Sequence, residues 1–141
     1  MSSYLLDTNV VSETTKSNPN PNVAAFMAEN SDLWLCSIVI HELEFGLRLL
    51  PPGRRRDEKR AAHIDFVTLY QDRILPVERL AAERAARFRA RSRRSGLSVA
   101  LGDTLIAGTA AIHDLTVATR NVHDFEKLAA DFINPWEYEI S

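Results

Sequence analysis

At 141 residues the chain has the length of one domain, and its 45% hydrophobic and 26% charged residues are those of an ordinary globular protein with a buried core. No apolar run approaches the ~20 residues of a membrane-spanning helix, and Met1-Ser2-Ser3 carries no basic region ahead of a run that stops at Asp7, so neither an anchor nor a secretory leader is expected. The net charge of −2 hides an asymmetry: 13 of the 17 Lys+Arg and six of the 19 Asp+Glu lie between 54 and 94, a net +7 that leaves −9 elsewhere.

A basic middle against acidic flanks fits a protein that handles a polyanion near carboxylates, although a well-solvated Arg-rich helix gives the same pattern. The single Cys36 has no internal disulfide partner and sits in an apolar run, so a reduced, cytoplasmic setting is expected.

In chain order, Tyr4-Leu5-Leu6 reads as a short strand that ends on Asp7, and Thr8 to about Thr15 as a short helix closed by Lys16-Ser17-Asn18-Pro19-Asn20. Asn20-Pro21 is a helix cap followed by its first residue, opening a helix with Val23, Ala24, Phe26 and Met27. Leu33-Trp34-Leu35-Cys36 has strand length. Ser37 is expected to cap a helix from Ile38 to Leu50, which Pro51-Pro52-Gly53 stops. A helix follows from Arg54 to about Asp72, then a strand at Ile74-Leu75-Pro76-Val77 whose proline marks its end or a sheet edge. Glu78 to Arg93 is rich in helix formers and ends at Ser95-Gly96. Leu101 to Ile112 is a small-residue helix, Leu115 to Thr119 a β-branched strand, Val122 to Ala130 a short helix, and Phe132-Ile133 a last strand before Pro135-Trp136. Strands alternating with helices imply crossovers and parallel pairing, hence an α/β sandwich with a mostly parallel central sheet.

Four acids stand where carboxylates are costly or oddly regular. Asp7 follows the first strand, where ligands gather in an open α/β sheet; it is equally placed to cap the next helix. Glu42 shares a helical stripe with Ile38, Val39, Gly46 and Leu49, a face expected to meet the core, so it needs either an arginine partner or a cation. Asp103 precedes Ile106, Ala107 and Ala110 on a similar stripe, where Ala107, Gly108 and Ala110 point to close helix packing; a capping role is open to it as well. Asp124 lies beyond the strand that ends at Thr119, among residues common in turns. The four histidines show no zinc spacing, so any metal would have oxygen ligands, as Mg²⁺ or Mn²⁺ prefers. A divalent ion would relieve the mutual repulsion of four gathered carboxylates and activate water against a phosphate. Thr8, Asn9, Thr119 and Asn121 are the neighbouring donors that would hold such acids or the substrate.

The motifs Leu6-Asp7-Thr8-Asn9, Ile40-His41-Glu42-Leu43-Glu44-Phe45-Gly46, Asp103-Thr104-Leu105-Ile106-Ala107 and Thr119-Arg120-Asn121 with Asp124-Phe125 resemble those of the PIN-domain nucleases. In combination they are most similar to the VapC toxins of VapBC toxin–antitoxin systems; Val11-Ser12-Glu13 and Leu50-Pro51-Pro52-Gly53 point to their FitB-like branch. The resemblance runs from Leu5 to about Trp136 and implies one PIN domain over residues 1–141 with an α/β/α fold. It further implies Mg²⁺- or Mn²⁺-dependent endoribonuclease activity and a VapB-like antitoxin that blocks the site. By position Asp7, Glu42 and Asp103 match the acidic triad and Asp124 the fourth, more variable acid; His41 is the local departure and is read as a surface residue. A homodimer, and a higher assembly with antitoxin on DNA, are also implied. Val10, Phe26 and Phe45 are candidate contributors to the dimer that sequence does not separate from core residues. The rival reading is a PIN-like binding module that chiefly pairs with an antitoxin on operator DNA. An aspartyl-phosphate protein is disfavoured, because Asp7 lacks an Asp-x-Asp-x-Thr context.

Overall fold

Each strand is only two to four residues long, so the sheet depends on the helices packed over it. The computed structural model describes residues 2–141. Its strands are β1 (Tyr4–Leu6), β2 (Leu33–Cys36), β3 (Ile74–Leu75), β4 (Thr116–Ala118) and β5 (Phe132–Ile133). They pair in parallel in the order β3-β2-β1-β4-β5. The helices are α1 (Thr8–Thr14), α2 (Pro21–Glu29), α3 (Ser37–Leu49), α4 (Arg54–Leu69), α5 (Arg79–Arg94), α6 (Leu101–Ile112) and α7 (Val122–Leu128). Among the described residues no helix is long and apolar enough to cross a membrane.

From β1 the chain steps outward to β2 and β3, then returns past β1 to β4 and continues to β5. Right-handed crossovers therefore lay α1–α4 on one face and α5–α7 on the other, which is the expected α/β/α sandwich. The helix contacts agree: α5, α6 and α7 pack on one another, as α1 does with α2 and α3, and α3 with α4. Leu5, Leu6, Leu35, Val117 and Phe125 are fully buried between the layers. The winding reverses between β1 and β4, and Asp7 N donates to Ala118 O at 2.9 Å across that junction.

Local chemistry explains most boundaries. Asn20 Oδ1 caps α2 by accepting from Asn22 N at 2.9 Å, with Pro21 as the first helical residue. The β3 strand ends before Pro76 at the sheet edge, where the missing N–H costs nothing. Four expectations are corrected. Ser37 does not cap α3; it is the first helical residue, because extended Cys36 passes straight from β2 into the helix. Helix α4 stops at Leu69, and Gln71–Arg73 tighten into a 3₁₀ turn before β3. Helix α7 stops at Leu128 because Ala129 adopts a left-handed conformation, φ 56°. On α3 the buried stripe is Val39, Leu43 and Leu47, while Gly46 and Leu49 face outward, so Glu42 flanks the core stripe instead of lying on it.

Val10 and Phe26 are fully buried within the protein's own core, which removes them as dimer candidates; Phe45 is 59% exposed beside a solvent-facing His41. The small residues of α6 do mark close packing. A Cβ on Gly108 would stand 2.3 Å from Ala81 O and 2.8 Å from Ala85 N of α5. Both are backbone atoms and cannot rotate away. Gly108→Ala is therefore expected to force α5 and α6 apart and to cost roughly 2 kcal/mol or more, read as a lower urea midpoint at an unchanged slope.

Candidate active site

A parallel sheet that winds both ways opens a crevice past the carboxyl ends of its strands, where the order reverses. Here Asp7 follows β1 and Thr119 follows β4, the two strands at the reversal. Both side chains are buried, and Thr119 Oγ1 donates to Asp7 Oδ2 at 2.7 Å. Asp7 is also the N-cap of α1, with Oδ1 accepting from Thr8 N at 2.8 Å. Capping occupies one carboxylate oxygen; the other is held by Thr119 and by Asn9 Nδ2 at 3.2 Å.

Glu42 enters from α3. Its Oε1 accepts from Thr8 Oγ1 at 2.9 Å, and among the described residues it has no ion-pair partner. The arginine pair that its sequence allowed is therefore absent, while its neighbour Glu44 takes Arg60 and Arg48. Asp103 is the third residue of α6, whose N-cap is Ala100, so it does not cap that helix. Its turn lies against Glu42: a Cβ on Gly102 would stand 3.7 Å from Glu42 Oε2. Asn121 Nδ2 donates to Asp124 Oδ2 at 2.7 Å and reaches Asp103 Oδ2 at 3.4 Å.

Asp7, Glu42 and Asp103, from three separate elements, thus line one cavity of about 450 Å³ together with Thr8, Asn9 and Asn121. Asp124 does not line it. It stands behind Asp103 in the first turn of α7, with Lys127 Nζ 3.5 Å from its Oδ1. Thr119 also stays behind the wall, bound to Asp7. The same cavity is lined by Glu13, Lys16, Arg120 and Trp136, to which the sequence reading gave no role. One signal was available: Lys16 and Arg120 are two of only four basic residues outside 54–94.

The electrostatics follow from this crowding. Burial pushes the Asp7 carboxyl above its ordinary range, against hydrogen bonds from Thr119, Thr8 and Asn9 that favour the charged form. Burial raises Glu42 too, with the Thr8 bond opposing and the Asp7 charge adding to the rise. Asp103 is pushed up to about 7, first by burial and then by the charges of Asp7, Asp124 and Glu42. Carboxylates that resist ionising together are short of positive charge. The donors are all oxygen, which fits a hard divalent cation; Cys36 is buried nearby as a thiol held protonated by burial. Among the described residues no three His, Cys, Asp or Glu side chains stand close enough together to hold a metal ion as they are placed.

Comparison with known proteins agrees with this fold. The PIN domain model matches residues 4–131. The chain is 36% identical to the VapC ribonuclease Y4jK of Sinorhizobium fredii over 136 residues, covering 94% of this chain and 97% of that protein. It is 35% identical to the toxin FitB of Neisseria gonorrhoeae, again covering 94% and 97%. A solved structure of FitAB bound to a DNA fragment superposes with a TM-score of 0.86 at 33% identity, covering 96% of this chain and 97% of that one. With a matching model over nearly all of the chain and relatives alike along their whole lengths, the chain belongs to the PIN-domain family.

Proposed function

We propose that this protein is a ribonuclease toxin, a Mg²⁺- or Mn²⁺-dependent endoribonuclease held silent by a cognate VapB-like antitoxin. The observation that carries the reading is the convergence of Asp7, Glu42 and Asp103 on one cavity at the reversal of the sheet. The VapC ribonuclease and FitB toxin relatives support it, and the DNA-bound FitAB neighbour supports an assembly with antitoxin on DNA; a homodimer is part of the same proposal. The whole chain, 1–141, acts as one PIN domain.

In this reading Asp7, Glu42 and Asp103 would hold the cation. The bound ion supplies charge neutralisation at the phosphate and a more acidic water. The chain's own residues supply positioning. Thr119 and Asn9 hold Asp7 Oδ2, Thr8 holds Glu42, and Asn121 links Asp103 to Asp124, which keeps negative charge behind the cluster. The arginine-rich end of α5 supplies a track for the RNA backbone. Exposed Arg89 and Arg93 share a hollow with Leu101 and Thr104, in the same turn of α6 as Asp103.

The direct test is cleavage of end-labelled RNA with Mn²⁺, Mg²⁺ or EDTA. Metal-dependent cutting is expected, falling at least roughly 100-fold in Asp7→Asn with the melting transition retained. A fully active Asp7→Asn protein, or one that neither cuts RNA nor binds either metal, overturns the reading. Replacing both Arg89 and Arg93 by Gln is expected to weaken RNA binding and to reduce its log–log salt slope by about 1.4, two phosphate contacts' worth; an unchanged slope removes α5 from the track.

A metal-free signature follows from Asp103. Its native carboxyl keeps a proton up to about pH 7, whereas in the unfolded chain it releases one near ~3.9. A raised native pKa stabilises fully below the unfolded value, and the contribution is lost as pH rises through 7. In EDTA, wild-type stability should therefore fall between pH 4 and 7. Asp103→Asn should flatten that fall and melt higher at pH 8, by roughly 4 °C after discounting for solvent screening. Thermal melts across pH, with and without Mg²⁺, check it; added Mg²⁺ should close the gap.

A further inference from the structure

The cleft has a cationic and aromatic wall that the metal-binding acids do not use. Trp136 sits in the 3₁₀ turn Pro135–Glu137 after β5, with its backbone fixed at both ends: Trp136 N donates to Asn134 Oδ1 at 3.0 Å, and Asn22 Nδ2 donates to Trp136 O at 2.8 Å. The half-buried indole is thus presented by a rigid frame. The Arg120 guanidinium lies 5.2 Å from the centre of its ring. Arg120 is solvent-exposed and, among the described residues, makes no ion pair, although it lines a cavity rich in carboxylates. Lys16 lines the same cavity with Nζ 2.9 Å from Glu13 Oε1, and Glu13 Oε2 is taken by Asn20 N at 2.9 Å.

One residue couples this wall to the acids. Asn9 Oδ1 accepts from Arg120 N at 3.1 Å while Asn9 Nδ2 donates to Asp7 Oδ2. The main chain at Arg120 is therefore tied to Asp7, and the guanidinium reaches the indole from that fixed base. A planar cation on an aromatic face extends a stacking surface that suits any base, and a nearby ammonium suits the phosphate beside it.

We propose that Trp136 and Arg120 form a stacking platform for an unpaired nucleobase of the RNA, next to the phosphate held at the acids, with Lys16 meeting the adjoining phosphate. The platform rests on the ribonuclease reading above for its ligand. It favours single-stranded or looped RNA, since a base within a duplex has no free face to offer.

The test uses the full chain with Trp34→Phe, which leaves Trp136 as the lone tryptophan, excited selectively over the three tyrosines. The probe is an uncleavable 2′-O-methyl phosphorothioate RNA of about ten nucleotides in Mg²⁺. Binding should quench Trp136 emission. Read by the anisotropy of an end-labelled copy of the same RNA, Trp136→Ala should weaken binding roughly 5- to 150-fold, as should an abasic oligonucleotide of the same length. Trp136→Phe should restore most of the affinity, which separates stacking from a folding defect, and on cleavable RNA Trp136→Ala should raise KM more than it lowers kcat. Saturation without quenching, equal affinity for native and abasic oligonucleotides, or no binding overturns the platform. RNA cutting by a protein whose Trp136 does not respond removes the platform and leaves the nuclease. Quenching without cutting under any metal removes the nuclease reading and leaves a single-strand-binding wall.

Discussion

The side-by-side packing of β1 and β4 is the constraint on which the cleft depends. Asp7 and Thr119 are 112 positions apart in sequence, yet each is the first residue past its strand, and their hydrogen bond closes the reversal at 2.7 Å. Sheet register sets this meeting: Leu6 pairs with Ala118, so the following residues arrive together. A one-residue slip would turn Asp7 toward the opposite face. Helices α3 and α6 then bring Glu42 and Asp103 to the same opening.

Gathering carboxylates this way costs stability, and the fold offsets it with donors rather than with cations. Thr8, Asn9, Thr119 and Asn121 each donate to an acid, and among the described residues no arginine pairs with Asp7, Glu42 or Asp103. Uncharged donors hold a carboxylate in place without cancelling its charge. The cleft thus keeps its negative charge uncancelled, which suits the cation of the proposed reading. The unpaired Arg120 and the Lys16 ammonium stand at the cavity wall, where a polyanion would meet them before the acids.

Packing of the second layer sets where the basic surface lies. The backbone contact of Gly108 with Ala81 and Ala85 draws α5 tightly along α6. Arg89 and Arg93 consequently come to the end of α6 that carries Asp103. The charge asymmetry of the chain therefore becomes a spatial one, with a cationic helix end beside an anionic cleft. Elsewhere the basic segment is structural: Arg73 lies on Trp34 and bonds Asp32, and Arg91 donates to Leu128 O.

Much was legible in one dimension because it is local chemistry. Strand and helix alternation, the Asn20-Pro21 cap, the Pro76 strand end and the small-residue face of α6 all follow from side-chain shape and backbone propensity over a few residues. Four motif acids at their intervals carried the family resemblance. What sequence left open was long-range. Periodicity placed Glu42 on a core stripe, but only packing against α6 and Thr8 turned it into the cleft and denied it an arginine. Val10 and Phe26 are apolar in any reading; their burial depends on layers that meet only in the folded chain. Asp124 resembles the other acids in sequence, and tertiary structure set it beside Asp103, off the cavity lining and joined to it through Asn121. Arg120, Lys16 and Trp136 were given no place in the site, because a lone cation or aromatic carries no periodic signal. The sequence by itself determined which residues could bear charge and which must be buried; the fold decided which of those charges face one another, because strand pairing joins residues that chain order keeps apart.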